Sequence, residues 1–410
     1  MMRTLYKFAI LLASIGIYTW FVGSYIIVLF LLASVVCMSS RIPSRWAVLI
    51  TLLSLIAGFV ILKYQITSDT ITLPIGYSVF AFSCISFVVD RLHKMYDGTK
   101  SYLDTFCYLF FFPKMLAGPI VRFEQFQNQL NLCQPPSTAI LYKSFKIIIY
   151  ASFCKFCVAD NLSWFIGAEW FGVNAWLISL LFAIQLYLDF YAYSNYAIAF
   201  ALIVGIELPV SFNSPYKTTT FRAFWRRWNI TVSEWLKDYV YITLGGNKGH
   251  GKVRTGINVM ITFVVSGVWH GATLPFIVWG SAHGMLVILE RLLFSNFSKH
   301  RLTKTLYGVI VFVLVVMLWQ LFRLDGMNDV VSFANHLIVP MPISYELLFC
   351  SVGTCVLLAV IDNNTIKELV FTISDLRKFI YREVSLVCAM LLMVILFHSQ
   401  PNFDFFYFKF

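Results

Sequence analysis

Residues 175–204 read AWLISLLFAIQLYLDFYAYSNYAIAFALIV, a run with a single charged side chain, Asp189. A transmembrane helix needs about 17–25 mainly apolar residues, so this run predicts a helix that crosses a bilayer. Further apolar runs occur at 8–36 (two spans around Gly23), 47–62, 71–89, 144–158, 257–268, 274–289, 308–321, 347–360 and 384–397. Together they predict roughly ten to twelve transmembrane helices.

The composition excludes a soluble globular protein. Of the 410 residues, 59% are hydrophobic and 12% are charged, and the mean hydropathy is +0.77. Soluble domains carry about 25% charged residues, roughly twice this share. No stretch is polar enough for a soluble domain, so we predict one all-α polytopic membrane domain over residues 1–410. It comprises N-terminal helices (1–70), a core (71–330) and C-terminal helices with an aromatic tail (331–410).

Lysine and arginine give the chain a net charge of +11 and lie mainly in short loops between the apolar runs. The loops at 217–237, 248–254 and 291–304 are examples. Basic loops of this kind are retained in the cytoplasm, where they favour anionic headgroups or phosphorylated substrates. We therefore expect membrane lipids, and not nucleic acid, as the partners of this charge.

The nine cysteines are scattered, mostly inside apolar runs. Cys154 and Cys157 form a C-x-x-C pair, but a zinc site would need a second pair of ligands. We interpret the cysteines as small buried side chains and predict neither a metal nor a bound cofactor.

Residues 221–237, here called the central segment, read FRAFWRRWNITVSEWLK and follow the candidate N-caps Thr218–Thr220. On one continuous helix, one face would carry the aromatic rings of Phe221, Trp225, Trp228 and Trp235. Another face would carry Arg222, Arg226, Asn229, Ser233 and Lys237. This pattern is typical of an interfacial or re-entrant amphipathic helix. Such a helix either anchors the chain or holds a phosphate-rich donor such as coenzyme A, and the density of arginine and tryptophan favours the donor.

His270 ends an apolar run and is flanked by Gly267 and Gly271. An ionisable residue at membrane depth is costly, and imidazole is well suited to take a proton from a hydroxyl group near neutral pH. The alternative is a core histidine satisfied by a carbonyl group. His283 would lie about 20 Å further along one continuous helix. The two histidines would therefore not share a site unless the chain turns between them, and we interpret His283 as a packing residue or as one that supports the site through a neighbouring side chain.

Gln185 and Asp189 share one helical face inside the run 175–204. A carboxylate at this depth needs a cationic partner, and we expect an arginine of the central segment (Arg222, Arg226 or Arg227). Holding that segment in place is favoured over acid–base chemistry.

The motifs together resemble the membrane-bound O-acyltransferase (MBOAT) family, in the branch typified by bacterial alginate O-acetylation membrane proteins. The matching stretches are 74–82, 111–122, 185–194, 212–216, 224–228, 236–246, 268–272, 279–284 and 405–410. Each stretch is a weak pattern alone, but they follow the family order and are specific in combination.

The resemblance implies tilted helices, with re-entrant or interfacial ones, around a central funnel, where His270 matches the active-site histidine. Asn229 stands where close relatives carry histidine, so we expect it to donate hydrogen bonds and not to transfer a proton. Tyr407 matches a tyrosine associated with passing the acyl group onward, although residues 405–410 also suit an interfacial aromatic belt. The expected catalytic residues are His270, Asn229 and Tyr407, and the expected substrate-binding residues are Arg222, Arg226, Trp225, Trp228, Ser233 and Asp189.

The function implied by the resemblance is O-acyl transfer in the cytoplasmic (inner) membrane of a bacterium. The donor would be acyl-CoA, with acetyl-CoA as first choice, and the acceptor a cell-envelope or secreted polysaccharide. The expected partner is an extracytoplasmic SGNH-type acetyltransferase with an esterase fold. Three alternatives stay open: D-alanyl transfer to teichoic acid, lipid or sterol acylation, and transport without acyl chemistry.

Overall fold

The computed structural model of the chain describes residues 2–39, 41, 46, 49–58, 76–92, 101–115, 118–132, 134–166, 171–247, 251–271, 273–293, 301–324, 326–372 and 380–397. Across these residues the regular structure is helical, without a β-strand. The predicted all-α fold class is confirmed.

The helices in chain order are α1 (Met2–Val22), α2 (Tyr25–Ser39), α3 (Leu49–Gly58), α4 (Tyr77–Leu92), α5 (Tyr102–Phe110), α6 (Phe112–Met115), α7 (Phe123–Leu132), α8 (Thr138–Ser152), α9 (Asp160–Ile166), α10 (Val173–Ile203), α11 (Phe221–Trp225), α12 (Ile230–Leu236), α13 (Gly251–His270), α14 (Leu274–Leu293), α15 (Arg301–Trp319), α16 (Met327–His336), α17 (Tyr345–Ile361), α18 (Asn364–Phe371) and α19 (Ile380–Phe397). Two π-helical stretches, Phe153–Ala159 and Lys237–Tyr241, join α8 to α9 and extend α12. The run at 175–204 is thus one helix, α10, as predicted.

Four described helices are long and apolar enough to cross a membrane: Arg3–Val22, Val173–Ile203, Leu274–Leu293 and Leu302–Phe322. The pair α17 and α18, bent by 53°, would supply a fifth as a broken span. Large apolar side chains such as Trp20 (88% exposed) and Phe349 (74% exposed) cover the outer surface, as expected for helices that contact lipid. The chain is a multi-pass membrane protein, and the total of roughly ten to twelve spans stays a prediction.

The chain forms two compact units, Met1–Phe145 with Ser194–Val210 and Lys146–Tyr193 with Ser211–Phe410. In the first, the run at 8–36 breaks at Gly23, as predicted. Its φ of 57° is a left-handed conformation that glycine adopts without strain. An aromatic core surrounds Tyr108, whose ring packs on Phe123 (5.4 Å) and Phe126 (5.7 Å between centroids).

The second unit is organised by the close pairing of α13 with α14. A Cβ built on Gly267 would lie 2.3 Å from the carbonyl oxygen of Phe276, and one built on Gly280 would lie 2.3 Å from that of Phe263. Only glycine fits at these two positions, because any side chain would separate the helices. The short connection of three residues between them lets α14 run back along α13.

The prediction of one continuous helix over 221–237 is wrong. The segment forms α11, a turn at 226–229, and α12. Thr220, one of the predicted N-caps, caps α11 by accepting a hydrogen bond from the Ala223 amide. The turn has a long-range cause, because Asn213 N–H donates to Arg227 O (3.0 Å) and Ile230 N–H donates to Ser211 O (2.8 Å). The predicted aromatic and polar faces therefore do not form on one continuous helix.

Candidate active site

A cavity of about 250 Å³ lies within the second unit, between the central segment and α13. Its lining residues are Trp225, Arg226, Trp228, Asn229, Val232, Ser233, Leu236, Lys237, Tyr241, Val259, Thr262, Phe263, Ser266, Trp269, His270 and Val287. Six residues predicted from sequence as catalytic or substrate-binding are on this wall: Trp225, Arg226, Trp228, Asn229, Ser233 and His270. The break in the central segment is what brings them together, since the turn places both former faces around one space.

His270 is the last residue of α13 and is partly exposed to the cavity. Its ring packs edge-to-face on Trp279 (5.1 Å) and on Phe322 (4.9 Å between centroids). Gly271 follows at once, and a Cβ there would meet the Phe276 ring at 2.4 Å. The glycine therefore lets the chain turn directly after the histidine, and the aromatic rings fix the imidazole at the edge of the cavity.

Asn229 lies in the turn between α11 and α12, with φ 40° and ψ 56°. Asparagine is among the few non-glycine residues that adopt this left-handed conformation readily. Its side chain does not cap α12 within the described structure, and the residue is 5% exposed on the cavity wall. The structure thus brings the amide of Asn229 and the imidazole of His270 to one cavity.

Indole rings form the apolar part of the site. Trp228 packs against Trp319 at 4.5 Å and against Phe212 at 5.2 Å between centroids. Trp225 packs edge-to-face against Phe263 at 5.4 Å. These rings are rigid, so they define the shape of the cavity and exclude water from much of its wall.

Positive charge on the wall comes from Arg226 and Lys237. Ser233 lies close by, and its hydroxyl donates to Trp228 O at 3.3 Å. Arg222 is placed elsewhere: its Nε donates to Glu290 Oε1 at 2.9 Å. Glu290 is 2% exposed and also accepts from the Phe221 amide at 2.6 Å, so the ion pair fixes the start of α11. Arg222 was predicted to bind substrate, but it does not line the cavity.

Asp189 also lies outside the cavity lining. An arginine of the central segment was predicted as its partner, whereas its Oδ1 pairs with Lys155 Nζ at 2.7 Å. Lys155 also reaches Asp160 Oδ1 at 2.6 Å, and Asp189 is 2% exposed. A buried lysine between two carboxylates joins α10 to the π-helical stretch, a structural role that the local sequence did not reveal.

Tyr407 and the stretch 405–410 lie outside the described residues. Thr262 and Ser266 line the cavity and were not predicted from the sequence. Their spacing of four residues from each other and from His270 puts all three on one face of α13, and that periodicity was available in the sequence.

Known proteins of similar sequence identify the family to which the chain belongs. The family model described as MBOAT, membrane-bound O-acyltransferase family, matches residues 14–324. The probable alginate O-acetylase of Pseudomonas aeruginosa is 34% identical over 273 residues, which cover 63% of this chain and 50% of the relative. The peptidoglycan O-acetyltransferase of Helicobacter pylori is 32% identical over 252 residues, covering 58% and 47%.

A more distant relative is the teichoic acid D-alanyltransferase of Lacticaseibacillus rhamnosus. It is 27% identical over 253 residues, which cover 55% of this chain and 62% of the relative. The chain spans about half the length of the alginate and peptidoglycan relatives that it matches.

Proposed function

The chain belongs to the membrane-bound O-acyltransferase family, and from that premise we propose that it transfers an acyl group, acetyl in the first place, towards hydroxyl groups of a cell-envelope or secreted polysaccharide. The observation that carries the proposal is the single cavity shared by His270, Asn229 and the cations Arg226 and Lys237. The cavity brings together a proton acceptor, a hydrogen-bond donor and a wall that can bind anions. Acyl transfer from a thioester whose carrier bears phosphates needs these three features.

His270 is the proposed general base. Its imidazole takes the proton of the attacking hydroxyl group, whose oxygen then forms a bond with the thioester carbonyl carbon. The tetrahedral intermediate collapses as the C–S bond breaks, and the leaving sulfur receives the proton that His270 holds. One imidazole can serve both steps, because each proton transfer restores the state that the other requires.

Asn229 is the proposed donor to the carbonyl oxygen. Negative charge grows on that oxygen as the tetrahedral intermediate forms, and a fixed amide N–H stabilises it more in the transition state than in the bound donor. The turn that holds Asn229 is pinned on both sides by hydrogen bonds to Ser211 and Asn213. The backbone that carries the amide is thus held in place before the donor binds.

The proposed donor is an acyl-CoA on the cytoplasmic side. Arg226 and Lys237 would face its phosphates, since guanidinium and ammonium groups are the usual phosphate partners in proteins. The indoles of Trp225 and Trp228 would line the path of the thioester arm. Arg222 is not part of this proposal, because Glu290 holds its side chain.

The proposed acceptor route leads out of the cytoplasm. Tyr407 would carry the acyl group transiently after His270 removes its phenolic proton. An extracytoplasmic SGNH-type protein would then place the group on the polysaccharide. Such a route assigns the chain to the cytoplasmic membrane of a bacterium, with one substrate entering from each side.

A second candidate is D-alanyl transfer to teichoic acid. The 27% identity to the teichoic acid D-alanyltransferase of Lacticaseibacillus rhamnosus favours it. The two functions share the catalytic residues and differ in the donor, which here would be a protein-bound thioester instead of acetyl-CoA.

Turnover of labelled acetyl-CoA by the purified full-length protein tests the proposal. We expect the wild type to release free coenzyme A. The rate of this release should fall at least 100-fold in His270→Ala and stay unchanged in His336→Ala. The control residue lies at the end of α16 and packs on Phe171 (4.3 Å) outside the cavity lining. Turnover only with a D-alanyl carrier thioester supports the second candidate. An enzyme that releases coenzyme A equally well without His270 would refute both.

A further inference from the structure

His283 of α14 is fully buried beside the cavity, with 0% exposure. Its imidazole packs edge-to-face on Trp225 (5.0 Å) and on Trp279 (5.1 Å), and lies parallel to Phe263 at 6.4 Å between centroids. The ring is therefore held on several sides by aromatic groups in defined orientations.

The turn between α13 and α14 brings the two histidines to the same indole. Trp279 contacts His270 at 5.1 Å with an interplanar angle of 88°, and contacts His283 at 5.1 Å with an angle of 68°. The chain thus turns between His270 and His283, and both imidazoles contact the same side chain. The other neighbour of His283, Trp225, forms part of the cavity wall.

The ring nitrogens of His283 are not explained by packing. Neither Nδ1 nor Nε2 has a hydrogen-bond partner among the described residues, and the same holds for the indole Nε1 of Trp225 and of Trp279. A buried polar atom without a partner destabilises the folded state, and each such group in a native structure calls for an explanation. A phenylalanine would fill the same space without this cost, so filling space is not a sufficient reason for a histidine here.

The nitrogens do change how the ring interacts with its neighbours. An imidazole N–H directed at an indole face is a weak hydrogen bond, and it is more directional than the contact of a phenyl edge. Edge-to-face contacts with two indoles at once fix the orientation of both. Trp279 contacts His270 and Trp225 borders the cavity, so the orientation of His283 affects both the imidazole of His270 and the cavity wall.

We propose that His283 is a positioning residue for acyl transfer, whose ring nitrogens orient Trp279 and Trp225 and thereby hold the imidazole of His270 in its reactive position. The proposal rests on the proposed function for its catalytic consequence. The placement of His270 is a separate property that can be measured without any acyl donor.

The test compares full-length His283→Phe, which keeps an aromatic ring and removes both nitrogens, with His283→Gln, which restores an N–H near the Nε2 position. Met285→Ala is the matched control, because Met285 is on the same helix and 49% exposed. For His283→Phe we expect kcat to fall at least 10-fold while KM for acetyl-CoA stays within twofold. His283→Gln should recover part of kcat, and the control should match the wild type.

The second readout is the rate at which diethyl pyrocarbonate modifies His270 at one fixed pH, located by peptide mass spectrometry. We expect at least a threefold change in His283→Phe and none in Met285→Ala. An unchanged rate together with an unchanged kcat would reduce His283 to a packing residue and overturn the proposal. Should acetyl-CoA fail as donor for the wild type, the proposed function fails, while the modification rate still decides the role of His283.

If His283→Phe does not fold, Trp279→Phe replaces it, since the influence of His283 on His270 passes through Trp279. This variant should show the same changed modification rate at His270. A wild-type rate in Trp279→Phe would overturn the proposal.

Discussion

Gly267 of α13 and Gly280 of α14 face each other where the two helices cross, and a Cβ built on Gly280 would lie 3.2 Å from the amide nitrogen of Gly267. His270 is one turn beyond Gly267. The distance between the helix backbones at this point therefore determines where the imidazole lies relative to Trp279 and Phe322.

Gly280→Ala should disrupt this crossing. Its methyl group would lie 2.3 Å from Phe263 O, so the helices must separate and carry His270 with them. We expect a loss of at least 10-fold in acyl-transfer turnover and a melting temperature lower by several degrees, measured by differential scanning fluorimetry in detergent. Gly256→Ala is the control on α13, since its methyl group would meet only Ile288 at 3.8 Å. Equal effects of the two substitutions would contradict the role of the crossing.

Arg222 and Arg226 should separate stability from donor binding. Arg222→Ala leaves the buried carboxylate of Glu290 without its cationic partner, so we expect a melting temperature lower by a few degrees and an unchanged KM for acetyl-CoA. Arg226→Ala removes a cation from the cavity wall, so we expect KM to rise about 10-fold without a stability change. The opposite assignment of effects would show that Arg222, as the sequence first suggested, contacts the donor.

The contrast between these arginines shows what the sequence could and could not predict. Hydrophobic runs located α10 and α14 closely, because burial in lipid depends on local composition, whereas α13 begins six residues before its predicted run at 257–268. Thr220 was foreseen as a cap for the same reason, since capping is local. The break at Asn229 depends on hydrogen bonds to Ser211 and Asn213. The helical periodicity of the central segment does not indicate these long-range bonds.

In the site itself, contacts between residues far apart in the chain were equally difficult to predict from the sequence. His270 and Asn229 were identified through motifs, yet their meeting in one cavity depends on the turn in the central segment. The partner of Asp189 is Lys155, which is 34 positions away and belongs to a π-helical stretch. A pattern with a period of 3.6 residues does not indicate such a pair.

Lys114 should make stability depend on pH. Its side chain is fully buried in the first unit, where Nζ donates to Tyr108 O at 2.7 Å. Burial lowers the pKa of Lys114 from 10.5 to about 7, so between these values the unfolded chain binds more protons than the folded protein. Stability therefore rises with pH across this window and falls towards pH 7.

Lys114→Met removes that dependence. At pH 7 we expect the variant to melt a few degrees above the wild type, and the difference should shrink as the pH is raised to about 9.5. Scanning fluorimetry of both proteins at matched pH values measures it, and other titrating groups cancel in the comparison. A difference that stays constant with pH would show that Lys114 is not the group responsible.

Two substitutions of Asn229 should distinguish the effect of the turn's conformation from the effect of the side-chain amide on the reaction. Asn229→Gly keeps a residue suited to a φ of 40° and removes the amide, so we expect an unchanged melting temperature and a kcat lower by roughly 10²-fold. Asn229→Ala removes the same amide but also strains the left-handed turn by about 1–2 kcal/mol, so it should lose stability in addition. Steady-state kinetics and scanning fluorimetry on both variants check the pair. A glycine variant with wild-type kcat would remove the amide from the reaction, because the turn that it preserves would then be all that Asn229 supplies.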